Sequence, residues 1–169
     1  DIVFAVDATG SMGDEINYLQ AELADVINKV KQRNPNLSLN MGSVFYRDKG
    51  DSYLTVQQDL TADIPTVMNF IKAQVADGGG DEPEAVDAAM EIAIDKFKWR
   101  EEARSRVMFL VLDASPHHEK ENIEKIQKYT TMAAAKGIRI IPVVCSGIDK
   151  AGEYLMRSIA LATNGTYLF

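Results

Sequence analysis

Residues 7–11 read Asp7-Ala8-Thr9-Gly10-Ser11, one carboxylate and two hydroxyls at alternating positions. Three hard oxygen donors so spaced are what a hydrated divalent cation such as Mg²⁺ takes as ligands. The pentapeptide follows the apolar run Ile2-Val3-Phe4-Ala5-Val6 and precedes an amphipathic stretch, so it forms the turn between a buried strand and a helix. Open α/β sheets bind ligands at such points, outside the carboxyl ends of parallel strands. Two further carboxylates are placed comparably. Asp113 ends the most apolar run of the chain, Arg106-Val107-Met108-Phe109-Leu110-Val111-Leu112, and Asp81 follows Gly78-Gly79-Gly80 in the loop before the preceding helix. In a parallel sheet these points share one edge, so Asp7, Asp81 and Asp113 can converge although they are far apart in the chain.

The elements that must hold them alternate regularly. Ile16, Leu19, Leu23, Val26, Ile27 and Val30 recur at helical spacing over residues 13–33, until Asn34-Pro35-Asn36 breaks the helix. A long strand is expected over Leu37–Tyr46, a turn at Lys49-Gly50-Asp51, and a short antiparallel edge strand at Tyr53–Val56. Thr61-Ala62-Asp63 caps a helix to Ala76, with Pro65 in its first turn. Helices over Glu84–Trp99, Asn122–Lys136 and Glu153–Ala162 alternate with strands at Arg106–Leu112, Ile138–Val144 and Thr166–Phe169. The pattern predicts a three-layer, doubly wound, Rossmann-like α/β fold: a mostly parallel six-stranded sheet with one short antiparallel edge strand. One domain over residues 1–169 accounts for the whole chain.

Composition narrows the function. The chain has 169 residues, 46% hydrophobic and 25% charged, enough for one ordinary core. Its net charge of −7 argues against a nucleic-acid or anionic-membrane surface. No apolar stretch approaches the roughly 20 residues of a membrane span. A lone Cys145 excludes an internal disulfide. The chain starts at Asp1 rather than Met, which reads as a segment of a longer protein.

With these residues in order, the chain resembles the von Willebrand factor type A (vWA) domains and their metal-ion-dependent adhesion site. The usual first motif is Asp-x-Ser-x-Ser; here Thr9 replaces the first Ser. Gly79-Gly80-Asp81-Glu82-Pro83-Glu84-Ala85 matches the second loop, in the Gly-Gly-Gly-Asp-x-Pro-Glu form of hemicentin-like and bacterial members, and Leu110-Val111-Leu112-Asp113-Ala114 matches the third. The resemblance implies a metal site of Asp7, Thr9, Ser11, Asp81 and Asp113, holding Mg²⁺ in preference to Mn²⁺ or Ca²⁺. It implies a protein-interaction (adhesion or scaffolding) module whose partner supplies a Glu or Asp to the open metal position, with a metal-stabilised structural domain, or less readily a metal-dependent hydrolase, as the alternative. The same subgroup favours an extracytoplasmic place. The family's helix after the last strand is not in the chain, which ends at Phe169. Where many relatives have Thr, Asp81 makes three carboxylates around one divalent ion, so an acidic ligand should be attracted less.

Other residues have plainer readings. Asp48 is expected to contact Arg47 or its own turn rather than the metal. His117 and His118 are adjacent on a loop, where pairs seldom bind one zinc ion; they read as exposed rim residues available to a partner. Cys145 reads as a small buried hydrophobe without an activating neighbour. Asn164-Gly165-Thr166 fits a turn and equally a glycosylation acceptor. An enzyme is disfavoured: a haloacid-dehalogenase-type phosphatase needs a second Asp at position 9 and a Lys at a strand end. Gly78-Gly79-Gly80 lacks the Lys of a phosphate loop.

Overall fold

A computed structural model describes residues 1–80, 83–145 and 147–169. The strands are β1 (Ile2–Asp7), β2 (Met41–Tyr46), β3 (Thr55–Thr61), β4 (Arg106–Leu112) and β5 (Ile138–Val144). They form one sheet in the order β3-β2-β1-β4-β5. All neighbours run parallel except the edge pair β2–β3. β1, apolar up to its final Asp7, is central and β2 is buried along its whole length, as strands covered on both faces must be.

Helices α1 (Gly13–Arg33) and α2 (Ile64–Lys72) cover one face. There Ile16, Leu23, Ile27, Val67 and Ile71 pack on Phe4, Val6 and Phe45. The other face carries α3 (Val86–Met90), continued as a π-helical segment Glu91–Lys96, with α4 (Lys120–Ala135) and α5 (Lys150–Ala162). Its core joins Val3, Ala5, Val44, Leu110, Ile126 and Ile140. Asp63 caps α2 by accepting from the Thr66 N–H, with Pro65 in the first turn as expected. Beyond α1 the first face stays open over β4 and β5. Phe4, Val6, Leu19, Phe109, Val111 and Val143 line a groove of about 790 Å³ there.

Among the described residues the sheet has five strands, not six. Residues 166–169 make only an isolated parallel bridge, Leu168 with Val143. The Leu168 N–H donates to the Pro142 carbonyl and the Val144 N–H to the Leu168 carbonyl. The next bond of that ladder would need an N–H from Pro142, which has none. Other departures are in element bounds. β2 begins at Met41, four residues later than expected, and the edge strand β3 is longer and shifted, Thr55–Thr61 instead of Tyr53–Val56. Its polar Gln57, Gln58 and Asp59 are tolerated because an edge strand meets water. The helix before β4 begins at Val86 rather than Glu84. Asn164 adopts the left-handed conformation, φ 54°, in the expected turn.

Candidate metal centre

The chain leaves β1 for β2 and β3 on one side and returns to β4 and β5 on the other. The carboxyl ends of β1 and β4 therefore flank the point where the strand order reverses, the usual ligand crevice of such sheets. Asp7 is the last residue of β1 and Asp113 follows β4; with Val6 opposite Val111, the two are offset by one residue on neighbouring strands.

The first loop is folded by its own side chains. Asp7 Oδ1 accepts from the Thr9 N–H at 2.9 Å and from the Thr9 hydroxyl at 2.8 Å. That arrangement leaves the hydroxyl lone pairs free for a cation. Backbone bonds fasten the loop on both sides: Ala8 N–H to the Tyr46 carbonyl, Gly10 N–H to Gly78, and the Asp77 N–H to Ala8. Asp7 and Thr9 are buried, while Ser11 lies exposed at the mouth. A short 3₁₀ turn, Gly10–Met12, leads into α1, whose positive end faces this edge.

Three buried carboxyl oxygens in this region have no hydrogen-bond partner among the described residues: Asp7 Oδ2, Asp113 Oδ1 and Glu84 Oε2. The fully buried Tyr46 adds an unpartnered hydroxyl. Burial, opposed by the Thr9 bonds and assisted by Asp113 and Asp48, pushes the Asp7 carboxyl up to about 6. Burial first, then Asp7, Asp48, Asp51 and Asp113, push Glu84 up to about 8. The Tyr46 phenol is driven far up by burial and by Asp7, Glu84 and Asp113. Burial and the neighbouring carboxyls thus act in the same direction on all three groups, each disfavouring the charged form. Orphaned acceptors of this kind need a proton or a cation.

Of the sequence-predicted ligands, Asp7, Thr9 and Asp113 are brought together, with Ser11 at the rim. Asp81 lies outside the described residues. Glu84, by sequence the start of a helix, also faces this region. Its N–H donates to the Ser115 carbonyl and it bridges to Pro116, which ties its loop to the end of β4. The signal available was its place two residues beyond the Asp-x of the glycine-loop motif. No group of three or more His, Cys, Asp or Glu that could hold a metal stands ready among the described residues. A donor set of two hydroxyls with carboxylates acting partly through water does not require one.

The rim differs from expectation in two ways. His117 is mostly buried and its Nε2 lies 2.6 Å from Asp48 Oδ1; His118 is exposed. Asp48 makes the expected turn contact, its N–H donating to Asp51 Oδ2, but its carboxylate goes to His117 and not to Arg47. The reason is that Arg47 turns away, donating to the Ala8 and Val75 carbonyls. Cys145 is half-buried, and burial, then Glu15 and Asp113, push its thiol up to about 11.

This sheet, with its acidic edge at the strand-order reversal, defines a doubly wound α/β domain with a candidate cation centre. The chain belongs to the von Willebrand factor A domain family, whose model matches residues 1–158. Domains of this family are commonly metal-dependent and engaged in protein interaction. An ariadne-like RING finger protein of Acanthamoeba polyphaga mimivirus is 32% identical over 118 residues, covering 70% of this chain and 11% of that protein. The alpha-protein kinase vwkA of Dictyostelium discoideum is 28% identical over 120 residues, covering 69% of this chain and 19% of the kinase. The chain thus spans only a small part of either relative. Among solved structures, the conserved hypothetical protein BatB from Bacteroides thetaiotaomicron superposes with a TM-score of 0.70 at 15% identity, over 99% of this chain and 88% of that one. Proximal thread matrix protein 1 from the mussel byssus, with a zinc-occupied MIDAS motif, gives 0.67 at 13% identity, over 100% of this chain and 43% of that one. These likenesses establish the fold.

Proposed function

We propose that the domain is a metal-ion-dependent protein-interaction module that holds one divalent cation at this edge. The observation that carries the reading is the set of unpartnered buried oxygens on Asp7, Glu84 and Asp113. Thr9 and Ser11 would supply neutral hydroxyl oxygens, and Asp7, Asp81 and Asp113 the negative charge, with Glu84 in the cation's surroundings. An all-oxygen donor set suits Mg²⁺, Mn²⁺ or Ca²⁺, with Mg²⁺ the proposed resident ion. The mussel protein's MIDAS motif takes zinc, so zinc belongs among the ions tested. When bound, the cation supplies a Lewis-acidic coordination position at the sheet edge for a partner's oxygen donor. Three carboxylates around it leave the occupied centre net negative, which weakens the pull on an acidic partner residue. We also read the domain as non-catalytic. The Cys145 thiol is held protonated at neutral pH and His117 is engaged by Asp48. No helix among the described residues is long and apolar enough to cross a membrane.

Calorimetric titration of Mg²⁺, Mn²⁺, Ca²⁺ and Zn²⁺ into chelator-stripped protein tests the reading. One saturable site that is lost in Asp7→Ala supports it. No heat and no thermal stabilisation with any ion up to about 10 mM, beyond the weakest useful range, overturns it. Retained partner binding in Thr9→Ala, with metal binding lost, would favour the metal-stabilised structural domain instead.

A further inference from the structure

The segment Arg47–Asp51, between β2 and β3, reaches each of the three loops that carry the candidate ligands. Arg47 is 5% exposed, and its Nε donates to the Ala8 carbonyl at 3.1 Å, between Asp7 and Thr9. Its guanidinium is fixed by the Val75 carbonyl at 2.9 Å, the Ser52 hydroxyl at 2.6 Å and the Tyr53 ring at 4.3 Å. Asp51 accepts the Gly79 N–H on both carboxylate oxygens, at 3.3 and 3.2 Å, in the glycine loop. Asp48, 8% exposed, meets His117 at 2.6 Å, in the loop that Asp113 begins. Asp48 and Asp51 are joined to each other by the Asp48 N–H.

We propose that Arg47–Asp51 is a positioning clasp for the centre, holding the three ligand loops at a fixed spacing through one contact to each. The inference rests on the metal-centre reading. Among the described residues its members make no hydrogen bond to a candidate ligand's side-chain oxygen; they act on the backbone and loops that carry those oxygens. Charge-assisted bonds between nearly buried groups are strong enough to set such a spacing. The need is physical, because ligands drawn from three separate loops bind an ion well only when each is held within about 0.5 Å of its place. The Asp48–His117 pair is the longest-range member, joining residues 69 positions apart across the carboxyl end of β1.

The test compares wild type with His117→Gln, Asp48→Asn and the double variant, using Mn²⁺ titration and, on chelated protein, amide hydrogen exchange. Outer partners of metal ligands typically cost 10–100-fold in affinity when removed. Each single variant should therefore bind Mn²⁺ about tenfold more weakly, and the double variant no more weakly than the worse single. In chelated protein the Thr9 and Gly79 amides should exchange several-fold faster, while α4 amides such as that of Ala133 stay unchanged. Wild-type affinity with unchanged exchange overturns the clasp. Fully additive losses overturn the coupling of Asp48 to His117. Failure of wild type itself to bind any ion overturns the metal reading, and the exchange rates then decide whether the clasp positions the loops.

Discussion

Gly79 lies against Thr9: a β-carbon on residue 79 would fall 2.6 Å from the Thr9 Cβ and 3.2 Å from Glu84 Oε1. Gly79 also has φ 68°, where side chains are strained. The glycine loop therefore approaches the first ligand loop as closely as backbone can. Gly79→Ala should cost about 1–3 kcal/mol in urea unfolding and weaken divalent-ion binding by pushing Thr9 aside. An alanine variant with wild-type stability and affinity would show that the approach is not required.

Stability without metal should fall as pH rises. The folded carboxyls of Asp7 and Glu84 lie at about 6 and about 8, against ordinary values of 3.8 and 4.5. Between those limits the folded chain binds more protons than the unfolded chain, so the unfolding free energy decreases with pH. The contribution is complete below pH 3.8 and gone above about 8. Saturating cation, which replaces the protons, should remove most of this slope. Thermal melts from about pH 5 to 8.5, with chelator and with excess Mg²⁺, measure both curves; coincident slopes would contradict the assignment.

Glu84→Gln separates charge from shape. The substitution removes the carboxylate whose burial and acidic neighbours disfavour ionisation most. Chelated protein should then be more stable than wild type near pH 8, with a flatter pH dependence, while affinity for Mg²⁺ falls at least about tenfold. If affinity is unchanged, Glu84 is not part of the cation's surroundings.

Ser11→Ala should behave in the opposite way. Ser11 is exposed at the mouth, so its removal should change metal-free stability by less than about 0.5 kcal/mol. Metal affinity should nevertheless drop, because a neutral oxygen donor is lost. Equal thermal shifts on adding Mg²⁺ to variant and wild type would remove Ser11 from the ligand set.

The first ligand loop and its strand were legible because a central parallel strand must be continuously apolar and the residues after it are local. The placing of Asp7, Thr9 and Asp113 at one edge needed only that rule and the parallel order; their role as ligands rests on the family resemblance and is a proposal. Glu84 was not legible as a site residue: beside Pro83 it looks like an ordinary acidic helix start. Its burial depends on the Glu84–Pro116 bridge, a contact across 32 positions. The Asp48–His117 pair was hidden for the same reason, and His117 and His118 look alike in one dimension. The absent sixth strand had a local sign in Pro142, but its effect depends on which edge that nitrogen faces. The π-helical turn at Glu91–Lys96 has no counterpart in a period-based reading.

The reversal of strand order also means that Asp113 reaches Asp7 only through the pairing of β4 with β1. Asp113 lies about a hundred residues after Asp7 in the chain. Residues 1–84 carry Asp7, Thr9, Ser11, Asp81 and Glu84 and lack only Asp113. On the proposed reading, the full donor set therefore exists only once β4 has docked beside β1, and a variant that loosens the β1–β4 seam should bind a divalent cation more weakly than wild type.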